Sequence, residues 1–584
     1  MIMLLAIATT LICILSPLQP SPATTSDLTT LSEATVTSEA TKELGTGLTL
    51  ENIGTSSVYF AHQGKPLLSF GGMSDFLFYA DVDTFDYKRW TDWAADHGMN
   101  HLRAYPPLSW KYIDKLAREN GGSPENLLFP YEETSPGSRQ FDLTRFNDAY
   151  WARFREQCEY LQSKGIIIHL LMVNAWQTNL NADNWEGHFF NPDNNVNDFT
   201  EYLRDNHLSF YKSVADGQTG LVKAQQAWFR KIIEETADLD NVYYDLIHEI
   251  AENYEDWGKA KPWIETMAET TRSHFASQQP NRDIILGMDT GGLENRQREW
   301  VFNRPYFDVL IYGKSHTVDQ ARRWRDRYKK PYIPQESWDD EGTKYSLRNL
   351  EHRVRLRKYL WKFMMAKVQQ MDIYAKPVTK DPQPGPKHNY DPNGWNPFED
   401  DAVILRQLWN QLTDYANLRF NGRVQSGPGQ HQYVLSSSQE GLVYLSSATR
   451  QEDVPFEAED LRLRNMALAN GDYAADIISP EQGALSTSNL TVDRGRTAIA
   501  LPAFSNELAI HIYREADSAN QPQEQTEQTT ASQTGNTQTI STEPINTEAL
   551  GNSSMKIVSL IAVGLATVSG FFAARKRKNK NGPN

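Results

Sequence analysis

The sequence predicts an α/β fold: a (β/α)8 TIM barrel over residues 47–422, a small all-β sandwich domain over 423–515, and a C-terminal transmembrane helix within 553–584. Three observations carry this expectation. Short apolar runs alternate with amphipathic stretches from Leu48 to Asn421. The texture changes to brief alternating runs between turn signals from Arg423 to Glu515. Residues 557–574 form an uncharged apolar run followed directly by basic residues.

The alternation defines the barrel. Apolar runs at 67–70, 99–103, 166–172, 242–247, 284–288, 309–312, 332–334 and 369–373 read as eight strands. Helical patterns fall between them, among others at 87–96, 146–163, 222–237, 263–278, 318–328 and 347–365. An open doubly wound sheet is the alternative, but no glycine-rich phosphate loop follows the first strand.

The sandwich is expected from strands at 432–435, 442–446, 473–478, 498–501 and 508–513. A turn at Pro480-Glu481-Gln482-Gly483 closes the third of them.

The two ends bear on location. Residues 4–15 are an apolar run of signal-peptide length, and Ser21-Pro22-Ala23 offers small residues for cleavage, so 1–23 is expected to be a signal peptide. The run at 557–574 is just long enough to cross a bilayer. Arg575, Lys576, Arg577, Lys578 and Lys580 follow it, which by the positive-inside rule keeps the tail cytoplasmic and the rest on the extracellular face. Flexible Ser/Thr-rich and Gln/Thr-rich linkers are expected at 24–46 and 516–552, where almost nothing can be buried.

Composition narrows the partners. A net charge of −16 argues against nucleic acid, whose phosphates require a positive field. The two cysteines are Cys13, inside the N-terminal apolar run, and Cys158, read as a buried helix residue. Thirteen histidines are scattered without a His-Glu-x-x-His spacing, so no metal and no cofactor is expected. Oligomeric state is not legible.

In a barrel of this kind chemistry gathers where strands end. The residues there are Gly71–Asp75, Arg103-Ala104-Tyr105, Asn174-Ala175-Trp176, His248-Glu249, Asp289-Thr290, Lys314-Ser315-His316 and Gln335-Glu336-Ser337-Trp338. The set is polar, aromatic and acidic. Four of its flanking segments carry a resemblance. Asn241-Val-Tyr-Tyr-Asp-Leu-Ile-His-Glu249 resembles the fourth-strand motif of clan A glycoside hydrolases, and Lys330-Pro-Tyr-Ile-Pro-Gln-Glu336 resembles their seventh-strand motif. Gly98-Met-Asn-His-Leu-Arg103 is similar to the second-strand motif, and Gly64–Gly72 to the opening of these barrels.

The resemblance implies a retaining glycoside hydrolase of the cellulase and mannanase type, acting on β-linked carbohydrate. Glu249 is then the acid/base and Glu336 the nucleophile, with Arg103 steadying the nucleophilic carboxylate. The clan usually has Asn where this chain has His248, which leaves the sugar open. His248 is expected to be neutral, so that it does not oppose a proton on Glu249. His316, Trp176 and Trp338 are candidate substrate contacts, the tryptophans by stacking on sugar faces. Glu252 is an alternative acid, and each of these residues also has a purely structural reading. A carbohydrate-binding or adhesion protein on a catalytically inactive barrel is the rival function.

Overall fold

The computed structural model describes residues 48–53, 57–62, 65–73, 77–78, 87–96, 98–119, 127–178, 184–250, 256–313, 318–335, 353–373, 402–448, 451 and 453–514. The expected signal peptide, both linkers and the expected anchor lie outside them. Among the described residues no helix is long and apolar enough to cross a membrane.

All eight expected barrel strands are present: β1 (Ser69–Met73), β2 (His101–Ala104), β3 (Ile167–Leu171), β4 (Val242–Asp245), β5 (Leu286–Gly287), β6 (Leu310–Gly313), β7 (Tyr332–Gln335) and β8 (Gln370–Ile373). One parallel sheet runs in the order β8-β1-β2-β3-β4-β5, and β6 pairs in parallel with β7. A parallel bridge from Asp289 to Ile311 carries the sheet from β5 to β6, and β7 lies beside β8. Spatial order thus follows chain order around a curled parallel sheet, as in a TIM-like barrel.

The helices cover its outer face: α1 (Tyr87–Asp96), α2 (Trp110–Glu119), α3 (Asp148–Ser163), α4 (Thr219–Thr236), α5 (Trp257–Gln278), α6 (Asn295–Phe302), α7 (Val318–Tyr328), α8 (Arg353–Met365) and α9 (Val403–Gln411). Helix α3 shows why these segments fold as they do. Asn147 caps it by accepting the Ala149 N–H at 3.1 Å, and Asp148 places a negative charge at the positive end of the dipole. Tyr150, Trp151, Phe154, Cys158 and Leu161 then recur at helical spacing and are buried. Cys158 is therefore a core residue, and burial pushes its thiol up, far from a reactive thiolate.

The period-2 alternation of the strands sorts side chains between two cores. Outward residues such as Leu102, Ile168, Tyr244, Leu310 and Tyr332 join the large cluster shared with the helices. Ile167, Tyr243, Ile285, Val309, Ile311 and Ile333 form a separate cluster inside the barrel. Gly287 is required there, since a Cβ would come within 2.4 Å of Ile311 Cδ1.

A feature the sequence reading did not include closes the lower mouth. Strand Leu48–Ile53 pairs antiparallel with Ser57–His62, and this hairpin adds Leu48 and Phe60 to the interior cluster. The Phe60 ring sits 5.6 Å from that of Tyr243, and Gln369 bonds both the N–H and C=O of Phe60 at 2.8 Å.

The later part of the chain is all-β, as expected. Strands β9 (Arg423–Ser426), β10 (His431–Ser436), β11 (Gly441–Ser446), β12 (Glu459–Arg464), β13 (Gly471–Ser479), β14 (Gly483–Val492), β15 (Thr497–Leu501) and β16 (Glu507–Tyr513) form two antiparallel sheets, β10-β11-β16-β13-β14 and β9-β12-β15. Leu445, Leu461, Tyr473, Ile499 and Ile510 belong to the core they share. The expected turn joins β13 to β14, where Gly483 adopts φ +91°.

Candidate active site

Moving up the barrel interior, the inward positions change from apolar to charged. Above Ile167, Tyr243 and Ile333 on the same strands come His169, Asp245 and Gln335, and β2 contributes His101 and Arg103, all fully buried. Such groups are tolerated in a dry interior only when they are paired or neutral.

The pairing centres on two aspartates. Asp245 at the end of β4 accepts the Asp289 N–H on Oδ1 at 3.0 Å and the Gln335 Nε2–H on Oδ2 at 2.9 Å. His169 lies 3.6 Å from the same Oδ2 and 3.4 Å from the Gln335 amide nitrogen. Asp289, two residues beyond β5, accepts the Gly291 N–H at 2.7 Å and the Glu249 N–H at 3.1 Å. Its Oδ2 is also 3.1 Å from His248 Nδ1, with the N–H direction off the line to the oxygen.

These contacts separate the protonation states. Burial, helped by the neighbouring Asp289 carboxylate, pushes Asp245 up to about 7. Burial would raise Asp289 as well, but the His248 charge and two backbone N–H groups outweigh it and hold the carboxyl well below its usual range. Burial disfavours a charged His248, yet Glu249 and Asp289 outweigh that and raise it to about 9. His169, buried beside Arg103 and His248, is pushed well below its ordinary value and stays neutral. Glu249 and Asp289 thus favour the imidazolium form of His248, against the expected neutral ring: a sequence places Glu249 beside it but does not reveal that Asp289 lies 3.1 Å away.

Glu249 has an unusual backbone. The His248 N–H and C=O still bond to Val173 and Ala175 at 2.9 Å, prolonging the ladder beyond β4. At Glu249 the chain turns into the left-handed region, with φ +58°. Arg139, Lys329, Lys367 and Arg494 adopt the same region elsewhere among the described residues, so at Glu249 the turn matters for where it aims the side chain after β4. Its carboxylate lies 3.9 Å from His248 Nε2 and is one-fifth exposed, at the boundary between the packed interior and solvent.

No protein-family model matches the sequence, and no curated protein matches it. Solved structures do. A glycoside hydrolase aligns with a TM-score of 0.51 at 11% identity, covering 80% of this chain and 97% of its own. A glycoside hydrolase family 5 protein from Bacteroides vulgatus ATCC 8482 aligns with a TM-score of 0.50 at 12% identity, covering 81% of this chain and 95% of its own. The chain shares the barrel fold of these solved structures.

On that barrel fold, Arg103, His248 and Glu249 come together at the upper end, with Arg103 wholly buried and its charge acting on His248. Trp176 stands on the neighbouring β3 loop. Asn174, which bridges to His248, accepts the Trp176 N–H at 3.1 Å, and the indole packs edge-on to Tyr112 at 5.2 Å. Glu336, His316, Trp338 and the alternative acid Glu252 lie outside the described residues.

Asp245 and His169 were missed as members of the site. Gln335 and Asp289 stood among the strand-end residues without a role. The available signal was alternation: His101 and Arg103 on β2, His169 on β3, Asp245 on β4 and Gln335 on β7 fall at inward positions near the upper end, where ordinary core would be apolar.

Proposed function

We propose that the protein is a retaining glycoside hydrolase that cleaves β-linked poly- or oligosaccharides outside the membrane, with Glu249 as acid/base and Glu336 as nucleophile. The observation that carries this reading is Glu249 itself. It follows the fourth strand of a barrel like those of solved glycoside hydrolases, in a left-handed conformation, with its N–H bonded to Asp289 and His248 beside it.

The chemistry follows from the residues. Glu249 protonates the glycosidic oxygen as the Glu336 carboxylate attacks the anomeric carbon; water, deprotonated by Glu249, then releases the sugar with configuration retained. Because His248 is paired with Asp289, the unit beside Glu249 carries little net charge. Glu249 can therefore give up and regain its proton without facing a lone cation. Arg103 is assigned to hold Glu336 ionised, and Trp176 and Trp338 to stack on sugar rings.

The export signal and the span at 557–574 complete the proposal by holding the enzyme at the extracellular face. Retention of the full-length chain in the membrane pellet after alkaline extraction checks that part. For the chemistry, a panel of 2-deoxy-2-fluoro-β-glycosides with an activated leaving group is expected to label Glu336, located by peptide mass spectrometry. Glu336→Gln should abolish turnover while the protein stays folded. Glu249→Gln should lower kcat on natural glycosides by a factor of about 100–10,000. Near-normal turnover in either variant would refute the assignment, and a folded wild type that binds glycans but neither turns over nor labels would mark a binding protein.

A further inference from the structure

The two proposed catalytic glutamates follow β4 and β7, strands that are not neighbours in the sheet. Backbone pairing alone therefore does not fix the end of one against the end of the other. The barrel interior supplies a direct connection. Gln335, the last residue of β7, donates its amide N–H to Asp245 Oδ2 at 2.9 Å. Asp245 Oδ1 accepts the Asp289 N–H at 3.0 Å, and Asp289 Oδ2 accepts the Glu249 N–H at 3.1 Å. Gln335, Asp245 and Asp289 are all at most 1% exposed. In that setting each hydrogen bond is strong and costly to lose.

We propose that Gln335, Asp245 and Asp289 form a buried brace that ties the end of β7 to the backbone of Glu249, making Asp245 the central positioning residue of the site. The proposal rests on the hydrolase reading for its catalytic consequence, because a retaining mechanism needs its two carboxyl groups about 5–5.5 Å apart. It rests on geometry alone for its mechanical part. The charged and titratable groups packed around the brace are Arg103 on β2, His169 on β3, His248 and Glu249 after β4, and Tyr332 on β7.

The brace needs two hydrogen-bonding atoms at position 245, not a charge. In Asp245→Asn the amide oxygen still accepts the Asp289 N–H, and the Gln335 carboxamide can turn over to accept from the new amide. Asp245→Leu and Gln335→Leu keep bulk but remove the link. Each Leu variant is expected to lower kcat about 100-fold, the scale of a misplacement near 1 Å. KM should change little, the double variant should lose no more than one single, and Asp245→Asn should keep most of the wild-type kcat. With aryl β-glycosides of graded leaving-group acidity, the Leu variants should depend more steeply on the leaving group, because the displaced Glu249 protonates it poorly.

Hydrogen exchange supplies a readout that needs no activity. The backbone N–H of Glu249 should lose protection in both Leu variants and keep it in Asp245→Asn. Additive losses in the double variant, or unchanged exchange at Glu249, would overturn the brace. An inactive and unlabelled wild type would instead overturn the hydrolase reading, while exchange at Glu249 still decides the brace.

Discussion

His248 ties pH to stability at a single residue. Its folded value is raised from 6.5 to about 9, so its contribution is fully present below pH 6.5 and is lost as pH rises towards 9. Asp245, raised from 3.8 to about 7, loses its share lower down, between those two values. Over the same range buried Lys367, lowered to about 6, contributes in the opposite sense, so the His248 share is read as a difference. In urea unfolding, wild type should lose stability relative to His248→Asn between pH 6.5 and 9. At pH 6 the variant should be less stable by about 3–5 kcal/mol, because Asp289 is left buried without its cation. A slope unchanged in the variant would place its origin elsewhere. The sequence made Glu249 and His248 legible because they adjoin in the chain and follow a strand. The same logic fails for Asp289 and Gln335, whose roles depend on which strands meet across the barrel interior.

Among elements, the barrel strands were the most legible, because each is a compact apolar run between helical stretches. Their bounds differ by a few residues at most, as at β5, where the expected 284–288 contracts to Leu286–Gly287. The N-terminal hairpin was not legible in the same way. Its strands show alternation, but only the open lower mouth of the barrel explains what Leu48 and Phe60 cover. Phe60 is 2% exposed and makes both hydrophobic and backbone contacts with the barrel floor. Phe60→Ala should destabilise the protein by about 3–5 kcal/mol while leaving KM nearly unchanged, since the cavity lies at the far end from Glu249. Chemical denaturation and steady-state kinetics check both halves.

Taken as a whole, the barrel and the sandwich share a core. Leu435, Leu442, Tyr444, Ile478 and Ala509 of the sandwich belong to the same apolar cluster as the barrel helices, and Trp361 of α8 stacks on Tyr444 with ring centres 5.7 Å apart. At this junction Arg357 of α8 bonds Glu507 at 2.6 Å, both side chains 1% exposed, and Tyr444 donates to the other Glu507 oxygen at 2.6 Å. Lys358 reaches the Ser447 hydroxyl at 2.7 Å and the Ala448 carbonyl at 3.1 Å. Arg357→Ala strands a buried carboxylate and should cost about 3–5 kcal/mol. In calorimetry the wild-type barrel and sandwich should melt together, and the variant should resolve two transitions. The change of texture near residue 423 was visible in the sequence. That the two parts are joined by buried charge was not, because Arg357 and Glu507 stand 150 residues apart.

The left-handed turn at Glu249 sets the terms on which this protein can be made sturdier. A position with φ +58° suits glycine, whereas glutamate is held there by the surrounding contacts. Glu249→Gly should be inactive and yet melt above the parent protein, whereas Glu249→Ala, equally inactive, should gain less because it keeps a Cβ in the same conformation. Screening for heat resistance alone would then favour loss of the proposed acid, so selection for durability has to be run together with selection for turnover.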